Sequence, residues 1–218
     1  CRLDHPRFGD RIEDVKPVVQ AGSSDSAALD ATFELLVRAG RSVPMAKTLL
    51  IPESFSADRS MPEELKNLYR YCNSVMEPWD GPAAICAFGG RWVLGGMDRN
   101  GLRPLRYTVT DDGLLFVGSE TGMVRLDEQH IVEKGKIGPG QMIGVDLEAG
   151  TLYHDDELKQ MLAGQQPYGE WVKQITKIDD IVRPEHGEHA EYDKQGLRRR
   201  QLAFGQTMED MEMVLHPM

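Results

Sequence analysis

Leu29, Phe33, Leu36 and Val37 recur behind the run Gly22-Ser-Ser-Asp-Ser26, and Gly40 follows them. Three- and four-residue spacing places these apolar side chains on one helical face. Serine and aspartate at the start can satisfy the free N–H groups of a first turn, and glycine suits the stop. The pattern predicts a helix over 26–39 with Leu29, Phe33 and Leu36 facing a core. A second, shorter helix is expected between Val43-Pro44 and Pro52. A third is announced by Ser60-Met-Pro-Glu-Glu64, with Ser60 as cap, Pro62 in the first turn and two glutamates at the positive helix end. Leu65, Leu68, Tyr69 and Cys72 form its apolar face as far as about Ser74. The lead-in over 1–22 is irregular, with one short apolar run at 15–19.

From Gly81 onward the period shortens. Ala83-Ala-Ile-Cys-Ala-Phe88 and Arg91-Trp-Val-Leu94 are joined by Gly89-Gly90, a hairpin signal. Asp111-Asp-Gly113 lies between the apolar runs 105–110 and 114–117 and marks a second hairpin. Further short strands are expected at 131–133, 142–146 and 151–153, the last two joined across Glu148-Ala-Gly150. Tight turns between short strands favour antiparallel pairing. Helices first and a strand block second give an α+β, layered arrangement. Beyond Tyr153 helices are expected at 155–163, 195–204 and 207–215, with a linker rich in Gly, Pro, His and charge after the first. The chain is thus read as a first domain over 1–155, a linker over 156–192 and the opening of another domain over 193–218.

Composition narrows the function classes. A formal net charge of -10 argues against nucleic-acid binding, which uses a basic surface. No apolar run approaches the roughly 18 residues of a membrane span. The opening CRLDHPRFGD lacks the charged head and apolar stretch of a signal peptide. Cys1, Cys72 and Cys86 form no CxxC pair and no zinc spacing, so reduced thiols of a cytoplasmic protein are expected, with Cys72 and Cys86 buried and inert. His186 and His189, beside Glu185 and Glu188, fall in the linker and read as a solvated loop, so no metal site is expected. Both chain ends read as cuts through a longer polypeptide, since there is no initiator Met and the sequence stops abruptly at His-Pro-Met.

One stretch stands apart: GGMDRNGLRPLRY (95–107), with three glycines and three arginines between apolar runs. A phosphate loop needs a strand, a glycine-rich turn and then a helix. Here a strand follows, and neither GxxxxGK[ST] nor GxGxxG occurs. A strand–turn–strand connection explains Asp98, Asn100, Gly101 and Pro104. Arg99, Arg103 and Arg106 are then expected to tie the turn to neighbouring carboxylates or carbonyls.

DRNGLRPLRY (98–107), GSETG (118–122) and GPGQMIGVD (138–146), in this order, resemble class II glutamine amidotransferase domains of the N-terminal-nucleophile hydrolase fold. GSSDSAALD (22–30) and YCNSVMEPWDGPAA (71–84) are similar to the large subunits of the bacterial NADPH-dependent glutamate synthase family. LRRRQLAFGQTMED (197–210) resembles the entry to the central domain of those chains, and the resemblance covers about residues 5–218. It implies a partial layered αββα fold with antiparallel sheet. It implies the glutaminase half-reaction, in which L-glutamine gives glutamate and ammonia, and the ammonia aminates 2-oxoglutarate. FMN, an iron–sulfur cluster and, through a small subunit, NADPH are implied for the parent enzyme, and no cofactor for this segment. The partners implied are L-glutamine, the remaining domains of the same polypeptide and the small subunit. The family's N-terminal cysteine nucleophile, substrate-binding arginine and HNGEIN oxyanion stretch are expected upstream, since none is present here. No catalytic residue is therefore assigned, and the segment alone is expected to be inactive. Cys1 has the chemistry of an N-terminal nucleophile. Arg2-Leu-Asp-His-Pro6 is nevertheless polar where the family has a small apolar strand, so Cys1 is read as an incidental start.

Asp25 is the candidate substrate-binding residue. The resemblance implies that the aspartate of an SD[ST] motif holds the glutamine α-ammonium, and SSDS (23–26) matches it. A carboxylate among Ser23, Ser24 and Ser26 can pair with an ammonium. It can also cap the helix behind it, and the two roles are compatible. Two further readings stay open: an amidophosphoribosyltransferase-like enzyme, which shares an Arg-Pro-Leu turn, and an amidotransferase-like interaction domain without chemistry.

Overall fold

Two serines open the first two helices. Ser24 Oγ accepts the Ala27 N–H and Ser42 Oγ the Met45 N–H, both at 3.3 Å, satisfying donors that a first turn leaves free. The helices are α1 (Asp25–Arg38) and α2 (Val43–Leu50). A 3-10 helix, Gly9–Val15, precedes them in the lead-in. The structure, a computed structural model, describes residues 5–55, 60–176, 181 and 193–207. Helix α3 (Glu63–Val75) starts behind Pro62 with no side-chain cap, so Ser60 does not take the capping position expected of it.

Seven strands follow: β1 (Ala84–Phe88), β2 (Trp92–Met97), β3 (Arg106–Thr110), β4 (Leu115–Gly118), β5 (Ile131–Lys136), β6 (Met142–Asp146) and β7 (Thr151–Tyr153). They form an antiparallel four-stranded sheet, β1-β2-β6-β7, and an antiparallel three-stranded sheet, β4-β3-β5. The hairpins at 89–90, 111–113 and 148–150 all form where the turn residues place them. Gly95 and Gly96, at the head of the arginine-rich stretch, belong to β2, and the turn begins only at Asp98. That turn does not fold β2 back on β3. It hands the chain from one sheet to the other.

The two sheets pack face to face. Met97 and Ile143 of the four-stranded sheet meet Leu105 and Ile137, with Tyr107, Leu115 and Val117 around them. The approach is close at Gly95, where a Cβ would lie 2.8 Å from Val117 Cγ1. On the other face, Trp92, Leu94 and Met142 pack against Val43, Met45 and Leu49 of α2 and Leu68 and Cys72 of α3. The described residues thus provide helix, sheet and sheet, three of the four layers of the expected fold.

α4 (Asp155–Gly164) and α5 (Tyr168–Val172) complete the helical layer. Leu158 and Leu162 are fully buried in the core and Tyr168 nearly so. The compact unit runs to Ile175. The second unit, from Thr176, contains α6 (Lys194–Ala203), whose first turn is capped by Asp193 Oδ1 accepting the Gly196 N–H at 2.7 Å. Cys1, the histidines at 186 and 189, and the tail helix expected at 207–215 from residue 208 on lie outside the described residues.

Candidate functional site

The start of α1 and the start of β1 border an open cleft of about 480 Å³, lined by Ser26, Asp30, Trp79, Ala84, Arg103 and Ser119 among others. Asp25 is the first residue of α1 and adjoins Ser26 at the rim. The cap is Ser24, so the capping role considered for Asp25 is taken by its neighbour. Nor do the serines ring the carboxylate. Ser24 Oγ and Ser26 Oγ bond each other at 3.2 Å, and Ser23 Oγ donates to the Gln20 carbonyl at 2.6 Å. Asp25 is exposed, and among the described residues no hydrogen bond or ion pair engages its carboxylate. It sits at the N-terminus of a fourteen-residue helix.

The cleft continues along α1 as a wider trench of about 830 Å³ between that helix and β1, sharing Leu29, Asp30, Ile85 and Cys86 with it. β1 is an edge strand and pairs only with β2 among the described residues. Ile85 and Ala87 face the helices, while Cys86 and Phe88 point to the other side. Cys86 is exposed, contrary to the expectation from its apolar neighbours. Cys72 is fully buried as expected, and burial pushes its thiol up to about 12.

Opposite α1, the wall of the cleft is set by the arginine-rich turn. Asp98 is completely buried, and its Oδ2 accepts the N–H groups of Asn100 at 3.1 Å and Gly101 at 3.2 Å. Its own N–H donates to the Ala83 carbonyl at 2.9 Å, and its carbonyl accepts the Gly140 N–H at 2.8 Å. Gly101 has φ +63, and a Cβ there would meet Pro139 Cγ at 2.7 Å, so the turn requires glycine on both counts. Arg99 pairs with Asp80 at 3.2 Å, as expected for a tie. Arg103 and Arg106 have no such partner among the described residues, and Arg103 lines the cleft.

Behind this wall lies a group of charges that sequence reasoning missed. Lys159 Nζ reaches Glu53 Oε2 at 2.7 Å and Asp155 Oδ2 at 2.6 Å. Tyr69 donates its hydroxyl to the same Glu53 oxygen at 3.2 Å. Lys47 Nζ donates to the Gly140 carbonyl at 3.1 Å. Burial, with the neighbouring Lys159 charge adding to it, lowers Lys47 to about 8. The available signal was a lone cation within the eight residues VPMAKTLL of α2. Among the described residues no three His, Cys, Asp or Glu side chains are grouped to hold a metal ion, and no helix is long and apolar enough to cross a membrane.

Residues 1–171 match the family described as glutamine amidotransferases class-II. The whole chain is 56% identical to part of the glutamate synthase [NADPH] large chain of Azospirillum brasilense, of which it covers 14%. It is 37% identical, over 96% of its length, to the corresponding large chain of Bacillus subtilis, covering 14% of that protein. Over 95% of its length it is 41% identical to ferredoxin-dependent glutamate synthase 2 of Synechocystis, covering 13%.

Proposed function

Because the chain belongs to the class II glutamine amidotransferases, we propose that it forms one wall of the L-glutamine pocket of a glutamate synthase large chain and that Asp25 holds the substrate α-ammonium. The observation that carries this is a carboxylate with no partner among the described residues, at a helix N-terminus on the rim of an open cleft. An ammonium brought there gains a charge-assisted hydrogen bond without breaking an existing one. The similarity of the whole chain to an NADPH-type large chain supports the choice of parent enzyme.

In this reading the reacting thiolate is supplied by another part of the polypeptide. It attacks the amide carbon, the oxyanion is held by backbone and amide donors, ammonia leaves and water cleaves the thioester. The segment contributes orientation: Asp25 fixes one end of glutamine so that its amide reaches the thiolate. Ammonia is then consumed in aminating 2-oxoglutarate. FMN and the iron–sulfur cluster belong to other domains of the large chain, and NADPH to the small subunit. A cluster draws on several cysteine thiolates, whereas Cys72 is sealed in the helical core here and Cys86 lies on β1. The parent enzyme is assigned to the cytoplasm with its reduced thiols.

The test is Asp25→Asn in the full-length polypeptide. Loss of a charged contact of about 2 kcal/mol raises KM for glutamine about 30-fold. An unchanged KM would remove Asp25 from the pocket.

A further inference from the structure

Lys47 is 2% exposed, with its stem so close to β2 that a Cβ on Gly96 would lie 3.2 Å from its Cε. A buried ammonium with one backbone acceptor is unfavourable unless opposite charge offsets it. The neighbouring charges are not equally free to do so. Glu53 and Asp155 are already engaged by Lys159, and Glu53 by Tyr69 as well. Asp98 is different: its Oδ1 is buried and has no hydrogen-bond partner. Its charge favours the Lys47 ammonium after those of Asp155 and Glu53, so what ties Asp98 to Lys47 is chiefly the backbone between them.

The two residues are also joined through the backbone. Lys47 holds the Gly140 carbonyl, Gly140 gives its N–H to the Asp98 carbonyl, and Asp98 gives its N–H to the Ala83 carbonyl. Ala83 lines the cleft beside Asp25, and so do Arg103 and Pro104, which the Asp98 turn delivers.

We propose that Lys47 and Asp98 are a buried positioning pair that locks the 98–101 turn against the 138–141 turn and so sets the wall of the amino-acid cleft beside Asp25. The identity of the ligand rests on the glutamine reading given above; the lock itself does not. Neither residue touches substrate in this arrangement. Each acts through the backbone that carries Ala83, Arg103 and Pro104.

The experiment uses the full-length polypeptide with Lys47→Met, which keeps the length of the side chain and removes its charge and donors. Glutamine hydrolysis is measured together with amide hydrogen exchange across the turn and α1. The pair predicts a KM for glutamine raised about tenfold with kcat held within about twofold, a split that marks lost substrate binding. It also predicts faster exchange at Asn100 and Gly101 with α1 unchanged. Asp98→Asn keeps an acceptor for both N–H groups while removing the charge. It should give the same split, and it carries the test if Lys47→Met does not fold. Unchanged KM and unchanged turn exchange in a folded variant overturn the pair. If Asp25→Asn raises KM while both pair variants leave it alone, the pair fails and the glutamine reading stands. If the turn loosens but neither Asp25→Asn nor Lys47→Met changes KM, the lock stands and the glutamine reading fails.

Discussion

The ring of Tyr107 on β3 covers Gly135, its cross-strand partner on β5, leaving no room for a Cβ beneath it. The phenol packs at the edge of the inter-sheet core and donates its hydroxyl to Glu133 at 2.6 Å. Glycine inside a strand is normally unfavourable, and a ring laid over it restores the lost packing. Gly135→Ala is expected to destabilise the protein by about 1–3 kcal/mol through overpacking. Urea unfolding should show a lower midpoint with an unchanged slope.

Neighbouring residues at the start of α1 should separate stability from binding. Ser24→Ala removes the helix cap and is expected to cost about 1 kcal/mol. Asp25→Asn removes no contact among the described residues and should leave stability within about 0.5 kcal/mol of the parent. Thermal unfolding of the two variants side by side reads the difference. A comparable loss from Asp25→Asn would show that its carboxylate supports the fold.

Lys47 gives an alkaline signature. Its pKa falls from 10.5 to about 8 in the folded chain, so between these values the unfolded state binds the extra proton. Stability from this group therefore rises with pH across that window, by up to about 3 kcal/mol. Other groups titrate in the same range, so the quantity to measure is the stability of the parent minus that of Lys47→Met. That difference should climb from pH 8 to pH 10.5 and level off above it.

The two described cysteines should react differently. Cys86 lies exposed on β1, whereas Cys72 is fully buried and its thiol is raised to about 12. Brief alkylation of the folded 218-residue chain, followed by peptide mass mapping, should label Cys86 and spare Cys72 until the protein is unfolded. Equal labelling of both before unfolding would contradict the burial of Cys72 on α3.

Turn chemistry and helical spacing made the separate elements legible. Gly89-Gly90, Asp111-Asp-Gly113 and Glu148-Ala-Gly150 each marked a hairpin that the structure contains, and Leu29 with Phe33 and Leu36 marked the inner face of α1. The division of strands between sheets was not legible, because a turn such as 98–101 fixes local direction and says nothing about the next pairing partner. Cys86 was misjudged for a related reason. In Ala-Ile-Cys-Ala-Phe every residue is apolar, yet alternation sends Ile85 and Ala87 to the core and Cys86 and Phe88 away from it. Asp25 was singled out through resemblance, whereas its place beside a serine cap, with no partner for its carboxylate among the described residues, emerged only in three dimensions. Lys47 could be seen as unusual in its helix, but its acceptor lies ninety-three residues away along the chain.

The passage of the chain between sheets bears on the order of assembly. β3, β4 and β5 lie in sequence between β2 and β6, which pair in the middle of the other sheet. Bringing β2 and β6 together therefore closes a loop containing the entire three-stranded sheet, and the entropy of that closure falls when the loop is already compact. The short β3–β4 hairpin is the local contact that can form first. A lesion at Asp112 or Gly113, in its turn, should then slow the joining of β2 to β6, although neither residue lies in that sheet.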